Sequence, residues 1–183
     1  ELRLKTSPNG IFAGIGGLAK KTTSTALNTD RWYHVVATYA GMPKQFGGTL
    51  VLPDIYINGE DDGDSGNTAA LSVVGGMTNA NDILRLGKGQ AGSTQFFDGY
   101  MCGVTIFNKQ LSAAEVSTLY NAGTRLNPLN TDFKNNVIVY YPMGNVSTDS
   151  NTLITDLGAD NLSGFSGTTN LTAVNFAADA IQT

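Results

Sequence analysis

Four carboxylates fall within five residues in the segment that reads EDDGD, from Glu60 to Asp64. Carboxylate oxygens held close together are the ligands that Ca²⁺ prefers in proteins. Asp61, Asp62 and Asp64 are therefore the candidate calcium ligands, and Asn67 could add a carbonyl. Counted from Glu60, the chain lacks the EF-hand order, because its sixth position is Ser65 rather than glycine. A solvated acidic turn is the favoured alternative, since charge runs usually lie on the surface.

The only histidine and the only tryptophan of the chain lie together in the segment DRWYHVVATY, as His34 and Trp32. A general base needs a nucleophile and an orienting carboxylate. The sequence has no Gly-x-Ser-x-Gly elbow, and its single cysteine, Cys102, sits in a glycine-flanked apolar run. A zinc site built on several histidine or cysteine ligands is excluded, because the chain has one histidine and one cysteine. We predict no catalytic residues, and a structural His34 that is hydrogen-bonded near a sheet edge.

Composition limits the classes of function. The chain has 183 residues, 22 of them glycine, and only 14% are charged. The formal net charge is −4 and the basic residues are scattered, so nucleic-acid binding is not expected. No apolar run approaches the roughly 20 residues of a membrane-spanning helix, and we expect no membrane partner.

The spacing of apolar runs and turn residues predicts an all-β protein. Clusters of Gly, Asn, Ser and Pro separate short runs rich in β-branched and aromatic residues, about ten residues apart, as in a sandwich or jelly roll. The predicted strands are at Leu2–Leu4, Ile11–Ile15, 20–27, 32–39, Asp54–Ile57, 69–74, 83–86, 97–107 and Val137–Tyr141. Turns are predicted at Pro8-Asn9-Gly10 and, as a hairpin, at Asn58-Gly59.

One helix interrupts the strands. Ser112 and Glu115 have the spacing of a capping box, and Leu111 and Val116 that of a hydrophobic staple. An apolar stripe of Val116, Leu119 and Tyr120 follows, and Gly123 is placed to end the helix. Residues 1–127 are predicted to form the sandwich. Residues 128–183 would add one strand and a polar extension rich in Ser, Thr and Asn.

Three segments coincide in order and spacing: WYHVVATYAG, then DIYINGE, then LRLGKGQAGSTQFFDGYMCGVTIFNKQLSAAEVSTLYNAG. Together they resemble the laminin G-like, concanavalin A-like lectin/glucanase superfamily, in its bacterial and viral form, over residues 1–123. The resemblance implies two antiparallel sheets packed as a jelly roll with one short helix. It also implies that Trp32 and His34 are structural side chains that pack between the sheets.

The family's first strands are expected before Leu2, so the resemblance implies a fragment of a longer protein. IVYYPMGN and ITDLGADN resemble the opening strand and loop of the same family. Either a second copy of the domain begins there, or Val137–Tyr141 closes the first sandwich from within. The Thr/Asn-rich continuation is similar in composition to structural proteins of marine tailed bacteriophages.

The superfamily suggests three kinds of site. Trp32 could be a sugar-stacking platform, but its position in the family favours packing; the alternative platforms are Phe46 and Tyr100, with Tyr33 as a further alternative. Its glucanases carry Glu-x-Asp-x-x-Glu acids on a strand; here the string starting at Glu60 lacks the final Glu and is predicted to be a loop, so no hydrolase is expected. Calcium is common in relatives, but Cys102-Gly103 stands where they carry an acidic pair.

The resulting expectation is a non-enzymatic, lectin-like structural protein on a virion surface, as a capsid decoration or tail component. Its partners would be other virion subunits, copies of itself or host glycans. The alternative is a carbohydrate-binding module of a secreted bacterial multidomain protein.

Overall fold

The computed structural model describes residues 2–6, 9–15, 19–22, 25–40, 53–62, 85–87, 97–143, 153–154, 157 and 171–172. The chain divides into two compact units, residues 1–97 with 110–124, and residues 98–109 with 125–183. The described strands are β1 (Leu2–Thr6), β2 (Asn9–Ile15), β3 (Ala19–Thr22), β4 (Val35–Thr38), β5 (Asp54–Ile57), β6 (Glu60–Asp61), β7 (Val104–Phe107), β8 (Val137–Tyr141), β9 (Leu153–Ile154) and β10 (Leu171–Thr172). The α-helix, α1, is Ala113–Tyr120, and 3-10 turns cover Asn121–Gly123, Pro128–Asn130 and Lys134–Asn136.

The first sheet of unit one has the order β1-β2-β3, with both pairs antiparallel. Thr6 pairs with Asn9. The prediction that Asn9 and Gly10 lie in a turn is therefore wrong, because both residues belong to β2. The third strand ends at Thr22, whereas the sequence predicted it as far as Leu27. Threonine-rich runs favour strands, but that preference does not define where a strand ends.

The second sheet of unit one has the order β4-β5-β6 and is also antiparallel. The Asn-Gly hairpin is confirmed. Asn58 and Gly59 have φ of 52° and 83°, the left-handed pair that a type I′ turn requires. The turn sets the register, so that Ile57 pairs with Glu60 and Tyr56 with Asp61.

A hydrophobic cluster joins these two sheets. Ile11 and Ala13 of β2 are buried with Ile55 and Ile57 of β5. Each pair is spaced by two residues, so each lies on one face of its strand. Leu27, Tyr33 and Val35 pack against the same cluster. Two sheets sharing a core agree with the sandwich prediction; the complete jelly-roll topology includes residues outside the described ones and stays a prediction.

Helix α1 begins as the sequence predicts. The Glu115 N–H donates to Ser112 Oγ at 3.3 Å, and the Ser112 N–H donates to Glu115 Oε2 at 2.9 Å, which completes the capping box. Leu111 and Val116, the predicted staple residues, are both buried.

The end of α1 differs from the prediction. Asn121 at the C-cap has φ of 46°, and its N–H donates to the Ser117 carbonyl. The chain turns left-handed at Asn121, then at Ala122 and Gly123. Gly123 is therefore the last residue of the reversal rather than the first. Asparagine tolerates the left-handed region better than most residues, which explains the earlier stop.

In unit two, β7 and β8 form an antiparallel pair with an irregularity between Ile106 and Phe107. The prediction of strand over 97–107 is correct only for Val104–Phe107. Gly103, with φ of 64°, precedes the strand and interrupts the extended backbone. The predicted strand Val137–Tyr141 is confirmed as β8. Its partner, β7, belongs to the same chain.

Two predictions about organisation are not tested by these contacts. The strand at 69–74 and residues 83–84 of the one at 83–86 lie outside the described residues; Arg85 and Leu86 are described and are not part of a strand, so the prediction is wrong for those two. The domain boundary after residue 127 stays a prediction. Within the described part of the chain, no helix has the length and apolar character needed to cross a bilayer.

Candidate functional site

The acidic segment begins on a strand, not in a loop. Glu60 and Asp61 form β6 and pair with Ile57 and Tyr56 of β5. The Asp62 N–H then donates to the Ile55 carbonyl at 2.9 Å, which extends the ladder by one bond. The loop prediction for this segment is wrong for these residues. The Asn-Gly turn points the chain straight back along β5, and the hydrogen bonds follow from that geometry.

The Asp62 carboxylate is bonded to the protein itself. The Thr25 N–H donates to its two oxygens at 3.2 and 3.1 Å. The Thr25 hydroxyl also donates to Oδ1. Hydrogen bonds to an ionised carboxylate are stronger than bonds between neutral groups. Asp62 therefore fastens the start of the segment 25–34 to the end of β6.

These contacts bear on the interpretation of the acidic segment as a calcium site. Within the described residues, no three Asp, Glu, His or Cys side chains are grouped so that they could hold a metal ion. Asp61 is exposed and Asp62 half-buried, while Asp64, the third predicted ligand, lies outside the described residues. The residues that are described do not by themselves make a calcium site, and calcium binding stays a prediction.

Trp32 is the largest departure from the sequence prediction. The resemblance places its indole between the sheets, but 54% of the side chain is exposed. Strand β4 begins only at Val35, so the in-and-out alternation assumed for residues 32–39 does not reach Trp32. The prediction that Trp32 packs in the core is wrong. Asn28 to Arg31 immediately before it are also exposed.

The ends of the Trp32 loop, which we define as residues 25–34, are fixed by hydrogen bonds. Besides the Thr25 contact, the Asn28 N–H donates to the Tyr33 hydroxyl at 3.0 Å. The His34 N–H donates to Asn58 Oδ1 at 3.0 Å, and the Asn58 N–H donates to the His34 carbonyl at 2.8 Å. Trp32 thus lies between Asn28 and His34, whose backbone N–H groups are both hydrogen-bonded.

His34 is a packing residue whose Nδ1 has no hydrogen bond within the described residues. Its ring centroid lies 5.9 Å from that of Tyr120 on α1, with the planes tilted by 36°. Nδ1 is buried. Burial lowers the pKa of His34 below its ordinary value. The structural role agrees with the prediction; the hydrogen bonds are made by the His34 backbone instead.

Tyr100, one of the two predicted sugar-stacking residues, is 63% exposed. It lies before β7, next to the exposed residues Asp98 and Cys102. The other, Phe46, lies outside the described residues. For Trp32 a packing role was favoured over a surface role, because its position in the family and its apolar neighbours suggested a continuous strand. The signal against this was the preceding polar run Asn28-Thr29-Asp30, which is typical of a turn.

Comparison with curated proteins and with solved structures gave no significant match. A laminin G-type family model matches residues 1–117, and its description is the concanavalin A-like lectin/glucanases superfamily. The match covers more than half of the 183 residues. It includes all three sequence segments that carry the resemblance except the last residues of the third. This chain belongs to the concanavalin A-like lectin/glucanases superfamily.

Proposed function

We propose that this chain is a non-enzymatic structural protein of a virion surface, a capsid decoration or tail component, whose lectin-like sandwich binds host glycans. The observation that supports it most is Tyr100, a large aromatic side chain with 63% of its surface exposed on a domain of a lectin-containing superfamily. A flat aromatic ring can stack on the apolar face of a pyranose, while its hydroxyl bonds to the sugar.

The chain that follows Tyr100 is anchored at Gly103. The Gly103 N–H donates to the Pro142 carbonyl at 3.2 Å, and Arg125 Nη2 donates to the same oxygen at 2.6 Å. Pro142 itself is buried. A side chain presented by a fixed backbone loses less conformational entropy on binding, which favours recognition.

The acidic segment supports a role without catalysis. Glycoside hydrolysis needs two carboxyl groups facing one bond. Asp62, which stands at the Asp position of the string starting at Glu60, accepts hydrogen bonds from Thr25. The composition supports the virion role. Only 14% of the residues are charged and the C-terminal part is rich in Thr and Asn, which suits a surface that lies along another virion subunit or another copy of this chain.

Two measurements test this proposal. Mass spectrometry of purified particles should find the protein at stoichiometric levels, and its absence from particles would rule out the virion role. A glycan array should show binding that Tyr100→Ala weakens about tenfold and Tyr100→Phe weakens much less, because the phenylalanine keeps the ring. Equal binding by both variants would contradict the assignment of Tyr100.

The second candidate is a carbohydrate-binding module of a secreted bacterial multidomain protein. The exposed Tyr100 favours it equally, because the same stacking would serve either role. Sugar binding by a protein that is absent from particles and recovered in culture supernatant would select this candidate. Release of reducing sugar that disappears in Glu60→Gln or Asp62→Asn would contradict both.

A further inference from the structure

We propose that Trp32 is the floor of a second glycan-binding site, which takes a neutral pyranoside on its exposed indole face. The inference rests on the proposed glycan binding and adds a site and a ligand class to it. The sequence resemblance favours a packing role for this residue over a sugar-stacking one, and its exposure in the structure reverses that preference.

Exposure of the indole is the first argument. Trp32 is 54% exposed, although tryptophan is on average a highly buried residue type. Leaving so large an apolar side chain in water forgoes a substantial hydrophobic stabilisation. The exposed part of the indole offers a large, flat apolar surface on which the apolar face of a sugar ring can stack.

The second argument is that the Trp32 loop is held in place. Thr25 bonds to Asp62 at its start, and the Asn28 N–H bonds to the Tyr33 hydroxyl across its middle. The two hydrogen bonds between His34 and Asn58 fix its end. Asp30, with φ of 62°, makes the left-handed bend just before Trp32. A loop constrained in this way presents the indole without a large ordering cost on binding.

The residues before Trp32 indicate the chemistry of the ligand. Asn28, Thr29, Asp30 and Arg31 are all exposed and together offer amide, hydroxyl, carboxylate and guanidinium groups. Sugar hydroxyls both donate and accept hydrogen bonds, and a mixed set of this kind satisfies them. Asp30 and Arg31 carry opposite charges, so the loop favours neither an anionic nor a cationic sugar.

Trp32 is the only tryptophan of the chain, so intrinsic fluorescence reports on this site alone. The protein would be titrated with neutral gluco-, galacto- and manno-configured oligosaccharides. Binding is expected to shift the emission to the blue and to protect it from quenching by acrylamide. The Trp32 variants have no tryptophan emission, so their affinities are measured by titration calorimetry. The affinity for the same sugar should fall about tenfold or more in Trp32→Ala, with a smaller loss in Trp32→Phe. Leu2→Ala, which removes another exposed apolar side chain, should leave it unchanged.

The possible outcomes separate this inference from the proposed function. Sugar binding that Tyr100→Ala weakens, with no change in tryptophan emission and full affinity in Trp32→Ala, would overturn the Trp32 site and leave glycan binding in place. No binding of any sugar would overturn both. If Trp32→Ala changed only the oligomeric state in size-exclusion chromatography, the indole would contact a second copy and the inference would be wrong. Thermal melting checks that the variants fold, and Trp32→Phe serves where Trp32→Ala does not.

Discussion

Gly59 lies against the ring of Tyr120, so closely that a Cβ added at position 59 would be 2.8 Å from Tyr120 Cδ1 and 3.0 Å from Tyr120 Cβ. The Tyr120 ring also lies 5.9 Å from that of His34. The tip of the β5–β6 hairpin and the last residue of α1 therefore meet at a glycine. Only a residue without a side chain permits both the turn conformation and this approach.

Replacing Gly59 by alanine should destabilise the protein by about 2–4 kcal/mol, through the left-handed backbone and the clash with Tyr120. Gly123→Ala is a matched control. Gly123 has φ of 86°, close to the 83° of Gly59, but a Cβ there would stand at an ordinary 3.6 Å from the Tyr120 hydroxyl. It should cost only about 1 kcal/mol. Urea denaturation of both variants measures the difference, and equal losses would mean that the clash is absent.

A double-mutant cycle checks the same contact from the other side. In a Tyr120→Ala background the contact with the ring is gone and only the Cβ of residue 120, at 3.0 Å, still lies close to position 59. Gly59→Ala should therefore cost less than it does in the wild-type protein, closer to the cost of Gly123→Ala. Non-additivity of about 1 kcal/mol or more is expected for residues in direct contact. Additive losses would show that Tyr120 does not touch position 59.

Stability should fall on acidification through His34. Burial lowers the pKa of His34 in the folded protein below the ordinary 6.5. The unfolded chain then binds the proton first, so the free energy of unfolding rises with pH wherever the two states differ in protonation. The contribution is complete above the unfolded pKa and is lost as pH falls from about 6.5 through the lower folded pKa. Denaturant unfolding measured at a series of pH values tests this.

His34→Gln is the control for that measurement. Glutamine stays neutral, so the variant should lose the part of the pH dependence that lies between the folded and unfolded pKa values of the histidine. Since His34 is the only histidine, no second imidazole contributes to that window. An unchanged slope in the variant would place the pH dependence elsewhere.

Ser112→Ala should destabilise the protein by about 1 kcal/mol, because the first turn of α1 loses its capping hydrogen bond. Ser112→Thr keeps the hydroxyl and should lose less. Thr118→Ala removes a hydroxyl that donates to the Ala114 carbonyl within the helix, and it should have little effect or stabilise slightly. Thermal melting of the three variants is sufficient. A Thr118 effect larger than that of Ser112 would contradict this account of the helix start.

Asp62→Ala should destabilise the protein without any metal present, by about 1 kcal/mol, because the Thr25 donors lose their acceptor. Calcium binding, predicted from the sequence, is tested by a separate measurement. Millimolar calcium should raise the melting temperature of the wild type, and the rise should disappear in the Asp62→Ala/Asp64→Ala variant but persist in Asp132→Ala. No shift in the wild type would end the calcium hypothesis while leaving the Thr25 contact intact.

Local signals in the sequence were enough for the elements with short-range causes. The Asn58-Gly59 hairpin, the Ser112–Glu115 capping box and the strand Val137–Tyr141 are all present. Each depends on residues a few positions apart, whose conformational preferences and hydrogen bonds act within the segment itself. The family, too, was recognisable from three segments of sequence, and its model matches residues 1–117.

Strand ends and surface exposure depend on distant partners. Trp32 has the composition of a strand around it, yet β4 begins at Val35, where its pairing with Ile57 starts. Asp62 reads as one more acid in a loop, and only the fold brings Thr25, 37 positions away in the chain, to its carboxylate. The sequence by itself determined the turns, the helix start and the family, because neighbouring residues dictate them. The tertiary structure alone decided which aromatic ring is exposed and which carboxylate has a partner, since burial and hydrogen bonding are properties of the packed chain.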